Sequence, residues 1–459
     1  MGCEFFYFLY HDDLLINMTF KMGINYKIRK LANLILKIII RLGAIELTLL
    51  IDKCRKLYDS SQVLSVTNTK AKNDALKQVA YSLREHQVNI LNENNKDIQY
   101  AIESGTRESL LDRLLLNESR MDDIIEGIST VIELKDPIWK SNEVWTLENG
   151  LIVSKMTVPL GVIGIIYESR PNVTIDAFSL ALKSGNCILL RGSSTAINTN
   201  RALVYAVKEG LKKSKVSEHV IGFIDDVDKN AVLEMITLNK YIDLVIPRGG
   251  KELIDFVVKN ATVPTIETGI GNCHIFVDDS ADYDKALNII MNAKIQRPGV
   301  CNSCETILVH ENIAHSFLPK LEERLRGKVE MRGCDVTKSI IKTNEATEQD
   351  WYEEYLDYIV AVKVVKNVQN AMAHINKYGS KHSEAIITEH FTNANLFTRN
   401  VDAAAVYVNA STRFTDGGQL GFGAEMGIST QKIHARGPLG INQLVTVKYC
   451  ITGNGQIRE

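Results

Sequence analysis

The fold of this chain is decided by one stretch, which reads Val158-Pro-Leu-Gly-Val-Ile-Gly-Ile-Ile-Tyr-Glu-Ser-Arg-Pro-Asn-Val173. Its centre, 161–166, is a short apolar run with two glycines, which is typical of a strand that is buried on both faces of a parallel sheet. Helical patterns and further apolar runs then alternate along the chain, at 177–183, 187–190, 202–212, 220–224 and 244–246. This alternation predicts an α/β fold built on doubly wound parallel sheets.

Regular hydrophobic patterns continue in both directions from this stretch. A second alternating block runs from Cys273 to about Val408, which predicts a second parallel-sheet domain. Between Ala71 and Gly127 the apolar residues recur with a helical period. Leu151–Val158 alternates like a strand and Leu444–Cys450 is strand-like, so these two segments could pair.

Composition narrows the class of protein. The chain has 459 residues, of which 45% are hydrophobic and 24% charged, so it is long enough for two or three globular domains. The net charge of −2 gives no global attraction to nucleic acid. Eight cysteines are scattered rather than placed at framework spacings, which favours free thiols in a reducing compartment such as the cytoplasm.

The first 49 residues differ from the rest. Residues 31–51 are apolar, but Lys37, Arg41 and Glu46 interrupt them, which argues against a membrane-spanning helix. A basic amphipathic helix on a membrane surface is an alternative to an ordinary packed helix or a misplaced start site. We therefore treat 1–49 as an N-terminal extension of uncertain order.

A cysteine lies in the loop Gln296-Arg-Pro-Gly-Val-Cys-Asn302, between two hydrophobic segments. Backbone amides, Asn302 and the positive charge of Arg297 could stabilise its thiolate and make it a nucleophile. Cys301 and Cys304 also form a Cys-x-x-Cys pair, as in redox or zinc sites. No second pair and no nearby histidine cluster accompanies it, which argues against zinc, and the thioredoxin-like context that is typical of a redox pair is absent.

Several ordered motifs together resemble the aldehyde dehydrogenase superfamily, and in particular its gamma-glutamyl phosphate reductase branch. The resemblance covers the chain from about Leu50 to the C-terminus. It rests on Val158–Val173, Arg191–Ser194, Ile266–His274, Gln296–Glu305, Val408–Gly417 and Ser429–Pro438.

The resemblance implies an aldehyde-dehydrogenase-like fold with a small β flap for oligomerisation. The NADP-binding domain would span 50–272, interrupted by a flap strand at 143–157. The catalytic domain would span 273–438, and 439–459 would supply the second flap strand and a tail.

The resemblance also assigns the catalytic residues. It places the nucleophile at Cys301 and leaves Cys304 as a small buried residue at the start of a strand. Asn172 follows a buried strand, where an N-cap role is the ordinary expectation. In the superfamily an Asn in this position instead shares the oxyanion hole with the backbone N–H of the catalytic cysteine.

The cofactor residues lie in two strand-to-helix turns. Arg191, Ser193 and Ser194 suit a phosphate or ribose, and no acid lies between Arg191 and Thr199, which favours NADP. In the superfamily a loop like Gly249-Gly250 lies near the pyrophosphate. Glu354 fits the superfamily glutamate that holds the nicotinamide ribose.

The remaining expectations concern substrate and partners. Arg170, Arg297, Arg413 and Arg436 are candidates to bind an anionic substrate. Glu267 aligns with a glutamate that activates water in hydrolytic relatives, and its role here is open. The resemblance implies reduction of L-glutamyl 5-phosphate through a thioester, without a metal, by a homo-oligomer. An association with glutamate 5-kinase is a further hypothesis. The alternatives are an acid-forming aldehyde dehydrogenase and a non-catalytic, membrane-associated relative.

Overall fold

The structure of the chain is a computed structural model that describes residues 47–106, 108–226 and 228–458. The contacts divide the chain into two compact units, Met1–Arg55 and Lys56–Glu459. In the first unit the described residues, 47–55, are helical. The predictions for residues 1–46 lie outside the described residues. No helix in the described ranges is both long and apolar enough to cross a bilayer.

The second unit begins with helical residues 56–64 and contains thirteen further α-helices among the described residues. In the N-terminal half these are α1 Thr69–Glu85, α2 Gln87–Glu103, α3 Glu108–Leu114, α4 Glu118–Glu133, α5 Asn172–Lys183, α6 Ile197–Lys212, α7 Lys229–Thr237 and α8 Lys251–Asn260. In the C-terminal half they are α9 Tyr283–Ile295, α10 Glu311–Leu325, α11 Asp335–Ile340, α12 Val368–Tyr378 and α13 Phe391–Asn400.

The strands are numbered in chain order. They are β1 Ser141–Thr146, β2 Ile152–Pro159, β3 Val162–Tyr167, β4 Cys187–Arg191, β5 Ile221–Phe223, β6 Leu244–Arg248, β7 Cys273–Val277, β8 Cys304–His310, β9 Glu330–Gly333, β10 Asn344–Glu345, β11 Ile359–Val365, β12 Ser383–Ile387, β13 Ala405–Val408, β14 Ile428–Ser429, β15 Gly437–Pro438 and β16 Val445–Thr452.

β3, at the centre of the stretch Val158–Val173, belongs to a four-stranded parallel sheet with the order β5-β4-β3-β6. All six residues of β3 are buried, as expected for a strand covered on both faces. A side chain at Gly164 would overlap Met235, because α7 packs closely on this strand. Because β3, β4 and β6 run parallel, their carboxyl ends meet at one edge of the sheet. Ligands usually bind at this edge in open α/β sheets.

A seven-stranded parallel sheet with the order β10-β9-β11-β8-β7-β12-β13 forms the second half. Alternate residues of β8 enter different hydrophobic clusters: Ile307 and Val309 face one layer of helices, and Leu308 faces the other. This period of two buries the sheet on both sides. The predicted α/β fold with two parallel sheets is confirmed.

A small antiparallel sheet has the order β1-β2-β16. The predicted pairing of the two flap strands is present, with Val445 opposite Pro159 and Thr452 opposite Ile152. Trp145 and Tyr449 meet edge to face across it, with ring centroids 6.3 Å apart. The domain boundaries given above remain a prediction.

Candidate active site

A cleft of about 340 Å³ opens at the carboxyl edge of the four-stranded sheet. The turn after β3 lines it, and Ser169 in this turn has a positive φ of 43°, a backbone conformation that is unusual for a residue with a side chain. Predicted site residues in the lining are Arg170, Ser193, Gly249, Gly250, Cys301 and Glu354. The structure thus brings together residues that the sequence spreads over nearly two hundred positions.

The peptide of Cys301 is held in place by neighbours on several elements. Its carbonyl oxygen accepts a hydrogen bond from the Cys273 thiol at the start of β7, with an S···O distance of 3.2 Å. Asn302 donates through Nδ2 to the Thr415 carbonyl at 2.9 Å, and its own carbonyl accepts from Thr412 Oγ1 at 2.7 Å. Gly271 lies so close that a Cβ there would be 1.5 Å from the Cys301 oxygen. The loop that carries the sulfur is therefore fixed before any substrate arrives.

Electrostatics at Cys301 differ from the simple expectation of a stabilised thiolate. Burial raises the pKa of the Cys301 thiol, and the carboxylates of Glu354 and Glu425 raise it further. The positive charges of Arg248 and Arg170 act in the opposite direction. Since burial dominates, Cys301 is a thiol in this state of the cleft, and its ionisation depends on the balance of the charges around it.

Cys304 lies at the first position of β8 and is completely buried. Burial raises the pKa of its thiol far above the usual range, and its sulfur lies 3.4 Å from the Thr306 carbonyl. Such a thiol behaves as a small apolar side chain. The two cysteines of the Cys-x-x-Cys pair thus have different environments.

Asn172 does not cap its helix. Pro171 occupies the N-cap position of α5, without a side-chain hydrogen bond, and Asn172 is the first helical residue. Its Nδ2 donates to Asp176 Oδ2, one turn further along α5, at 2.9 Å. The side-chain amide is therefore available for a role other than capping.

Three arginines dominate the field at the cleft, and sequence reasoning assigned only one of them. Burial and the like charges of Arg248 and Arg113 lower the pKa of Arg170 to about 10. Arg248 ends β6, and its Nε is buried without a hydrogen-bond partner. Arg113 comes from α3 and donates through Nη2 to the Gly299 carbonyl at 2.5 Å. Arg248 stands in the predicted glycine turn, whereas Arg113 has no local sequence signal.

The other three candidate arginines occupy different surroundings. Arg297 is exposed and acts electrostatically on Arg113, Arg170 and Arg413. Arg413 donates to Asn302 Oδ1 and to Gln296 Oε1, so it supports the cysteine loop. Arg436 donates to the carboxylate of Asp402 at 2.9 Å. A substrate role for these three stays a prediction.

The cleft has features that fit a dinucleotide. Gly249 and Gly250 precede α8, whose N-terminus suits a phosphate group. Ser193 Oγ lies in the lining, 2.7 Å from Thr195 Oγ1, and Ser194 begins the short helix after β4. The buried, unpaired Nε of Arg248 adds a charged donor. In this structure Glu168 accepts from the Gly250 N–H at 2.9 Å.

Arg191 has acidic neighbours that its own segment does not show. Its guanidinium interacts with Asp226, Glu168 and Asp228, and burial lowers its pKa. Its Nη2 also donates to the Asp228 carbonyl at 3.3 Å. An incoming phosphate would therefore share this guanidinium with carboxylates from two other loops.

The two glutamates of interest are both engaged. Glu354 accepts from the Gly271 N–H at 2.7 Å, and burial raises its pKa. Glu267 accepts from Gln431 Nε2 at 2.6 Å, and its own N–H donates to Gln431 Oε1 at 2.9 Å. Gln431 thus holds Glu267 from two sides, an arrangement that does not favour a free general base.

Among the described residues, one group has the composition of a metal site, namely Asp278, Asp279 and His310. Asp278 directly follows β7, and His310 is the last residue of β8, so both lie at the carboxyl edge of the seven-stranded sheet. Cys301 precedes β8 and therefore lies at the opposite edge. His310 Nδ1 accepts from the Asn312 N–H at 3.1 Å, so its Nε2 carries the proton when the ring is neutral. That Nε2 faces Asp279 Oδ2 at 3.9 Å and is a donor rather than a ligand.

Comparisons with known proteins agree with this geometry. A family model for the aldehyde dehydrogenase family matches residues 67–337. A gamma-glutamyl phosphate reductase from Alkaliphilus metalliredigens is 67% identical over 413 residues, which cover 90% of this chain and 100% of that protein. A crystal structure of gamma-glutamyl phosphate reductase from Thermotoga maritima is 54% identical with a TM-score of 0.87, covering 89% of this chain and 100% of that one.

A more distant structure shares the fold alone. It is an acetylating aldehyde dehydrogenase from Geobacillus thermoglucosidasius, with 16% identity, a TM-score of 0.68, and coverage of 91% of this chain and 99% of that one. Enzymes of the family use a nicotinamide cofactor, which the glycine turns and arginines of the cleft can accommodate. The predicted resemblance is confirmed: the chain belongs to the aldehyde dehydrogenase family of oxidoreductases and, within it, to the gamma-glutamyl phosphate reductases.

Proposed function

We propose that this chain reduces L-glutamyl 5-phosphate to L-glutamate 5-semialdehyde with NADPH and releases phosphate, as a step of proline biosynthesis. The observation that carries the proposal is a half-buried cysteine, Cys301, in a cleft that Arg113, Arg170 and Arg248 also line. A nucleophile surrounded by guanidinium groups suits an electrophile that bears a phosphate. The names of the relatives support the same reaction.

In the first half of the reaction, the sulfur of Cys301 attacks the carbonyl carbon of the acyl phosphate. A carbon–sulfur bond forms, the bond from carbon to the phosphate oxygen breaks, and the thiol proton leaves with the phosphate. The carbonyl oxygen becomes negative on the way, and the backbone N–H of Cys301 and Nδ2 of Asn172 are the donors that we assign to it. One such donor typically accelerates an acyl transfer by about 10²–10³.

The arginines have two tasks in this step. They attract the phosphate, and they stabilise the charge that gathers on it as it departs. Arg248 and Arg170 also lower the pKa of Cys301, so the same charges favour the thiolate that attacks. Arg113 donates a hydrogen bond to the Gly299 carbonyl, which holds its guanidinium group next to the loop of Cys301.

In the second half, the thioester on Cys301 is reduced and the sulfur leaves with a proton. The hydride for this step would come from a reduced nicotinamide held in the cleft. We assign its phosphates and riboses to four residues, namely Gly249, Gly250, Ser193 and Ser194. We assign the ribose next to the nicotinamide to Glu354. Arg191 would pair with a 2′-phosphate, which favours NADP over NAD.

The acid-forming alternative needs a general base for water. Glu267 is the residue that aligns with such a base, and its carboxylate is already bonded to Gln431. Arg113, Arg170 and Arg248 line the cleft together with Cys301, and their guanidinium groups suit a phosphate. These two observations favour phosphate over water as the partner of the acyl group.

We also propose that the flap sheet forms the contact of a homo-oligomer. Apolar side chains are exposed on β1, β2 and β16, among them Val144 at 61%, Tyr449 at 54% and Ile451 at 61%. Such a patch is typical of an interface. Ile451→Lys should lower the mass measured by light scattering, and an unchanged mass would contradict the assignment. An association with glutamate 5-kinase stays a prediction.

The reaction can be tested in the reverse direction. The purified protein is mixed with L-glutamate 5-semialdehyde and NADP⁺, and the reduced nicotinamide is measured with and without inorganic phosphate. We expect sustained reduction over many turnovers that requires phosphate and is much slower with NAD⁺. Sustained reduction without phosphate, with glutamate as the product, would show the acid-forming enzyme instead.

A further inference from the structure

The side chain of Asn172 is held by a carboxylate that the reaction as described does not use. Asp176 lies four residues further along α5, on the same face of the helix, and its Oδ2 accepts from Asn172 Nδ2 at 2.9 Å. Both residues are only partly exposed. Neither side chain lines the cleft itself: the contact lies at the start of α5, directly after the turn Glu168–Arg170 that does line it.

An ionised carboxylate only accepts hydrogen bonds, and this fixes the orientation of the amide opposite to it. If Asn172 turned its Oδ1 toward Asp176, two acceptors would face each other without a proton between them. With the nitrogen toward Asp176, one N–H is used by the carboxylate. The second N–H of the same nitrogen stays available for an oxygen of the substrate.

The charge on Asp176 is coupled to the same site. Burial raises its pKa to about 6, and the hydrogen bond from Asn172 and the charge of Arg248 act against that rise. Arg248, at the end of β6, is the charged group that acts on Asp176, and it also lowers the pKa of Cys301. At neutral pH Asp176 is therefore mostly ionised, and it loses this charge near pH 6.

We propose that Asp176 is a positioning residue, whose carboxylate orients the amide of Asn172 so that its second N–H faces the oxygen that becomes negative during acyl transfer. This inference rests on the oxyanion role proposed for Asn172. The carboxylate does not touch the substrate and acts only through the amide. A merely structural carboxylate would stabilise α5 without any dependence on Asn172.

A double-mutant cycle tests this dependence. The variants are Asp176→Ala, Asn172→Ala and the two combined, with Asp284→Ala, an exposed carboxylate on α9, as the matched control. Loss of a hydrogen bond to a charged group corresponds to about tenfold in rate. We expect Asp176→Ala to lower kcat by about tenfold in the wild type and by less than about twofold in the Asn172→Ala background. The KM for NADPH should change little.

The pH profile supplies a second readout that also covers the case in which Asp176→Ala does not fold. Below the pKa of Asp176 the carboxyl can donate to Asn172 Oδ1, so kcat of the wild type should fall as the pH drops through about 6. Asp176→Asn can still accept the N–H but does not titrate. It should keep more activity at neutral pH than Asp176→Ala and should lack the additional fall near pH 6, so that only the pH dependence set by Cys301 remains.

The outcomes separate the inference from the proposed function. Equal losses from Asp176→Ala in both backgrounds, or an additional fall near pH 6 that persists unchanged in Asp176→Asn, would overturn the positioning role. A wild-type kcat for Asn172→Ala would instead overturn the oxyanion assignment itself, and the inference with it. Unchanged melting temperature and NADPH binding in the variants show that the comparison concerns folded protein.

Discussion

Replacement of Gly271 by alanine should disable the enzyme without unfolding it. A Cβ at this position would lie 1.5 Å from the carbonyl oxygen of Cys301, 2.2 Å from its carbonyl carbon and 2.5 Å from its Cα. All three atoms are backbone, so no side-chain rotation can relieve the overlap. Ordinary contact begins near 3.4 Å, and the two segments must therefore move apart by close to 2 Å.

The magnitude follows from that displacement. A misplacement of about 1 Å at a reacting group can cost about 10² in rate. Since Gly271 also donates to Glu354 at 2.7 Å, the shift disturbs both the cysteine loop and the assigned ribose contact. We expect kcat to fall by at least about 100-fold, and the stability to fall by about 1–3 kcal/mol, as for other overpacked sites.

The assay compares kcat, the melting temperature and the rate at which iodoacetamide alkylates Cys301. Gly127→Ala is the matched control, because nothing lies within 4 Å of its Cβ and it stands within α4. That variant should keep full activity and gain about 0.5–1 kcal/mol. A Gly271→Ala protein with wild-type kcat and alkylation rate would refute the close packing on which this reasoning depends.

Further predictions concern the two cysteines, the pH dependence of alkylation, Arg248 and Arg191. Cys301→Ala should abolish turnover and keep NADPH binding, whereas Cys304→Ala, in a fully buried position, should keep most activity; the opposite result in a steady-state assay would reverse the assignment. Because burial raises the pKa of Cys301, its alkylation rate should rise with pH to a midpoint above the ordinary thiol value of about 8.5. Arg248→Ala removes a charge that lowers this pKa, so it should move the midpoint upward, and a downward move would contradict the charge balance. Arg191→Ala should raise the KM for NADPH and change that for NADH little; an equal change for both cofactors would remove the argument for a 2′-phosphate contact.

The parts of the site that the sequence predicted lie in local motifs. The loop of Cys301, the turn with Gly249 and the position of Asn172 after β3 can each be recognised within a few residues. The strands could also be predicted from the sequence. A strand that is buried on both faces, such as β3, appears in the sequence as a continuous run of apolar residues. Short-range patterns thus predicted the sheets, and the resemblance of these motifs to the family assigned the nucleophile to Cys301.

Other features required the folded chain. Arg113 reaches Gly299 from a helix 186 residues earlier, and no local pattern distinguishes it from a surface arginine. The acids around Arg191 come from the turns after β3 and β5. The absence of acids between Arg191 and Thr199 therefore did not describe the whole charge environment of this arginine. The raised pKa of Cys301 likewise depends on burial and on Glu354 and Glu425, which are distant in sequence. The pKa of a site residue depends on charges from many parts of the fold, and a single segment of sequence does not contain them all.

The most direct test of the central claim is to observe the acyl group on Cys301. The protein is mixed with NADP⁺ and L-glutamate 5-semialdehyde without phosphate, quenched in acid within one turnover and digested for mass spectrometry. We predict a glutamyl group on the peptide that contains Cys301, which disappears when phosphate is added before the quench, and no such group in Cys301→Ala. Phosphate-dependent reduction of NADP⁺ by a protein whose Cys301 never carries the acyl group would contradict the account.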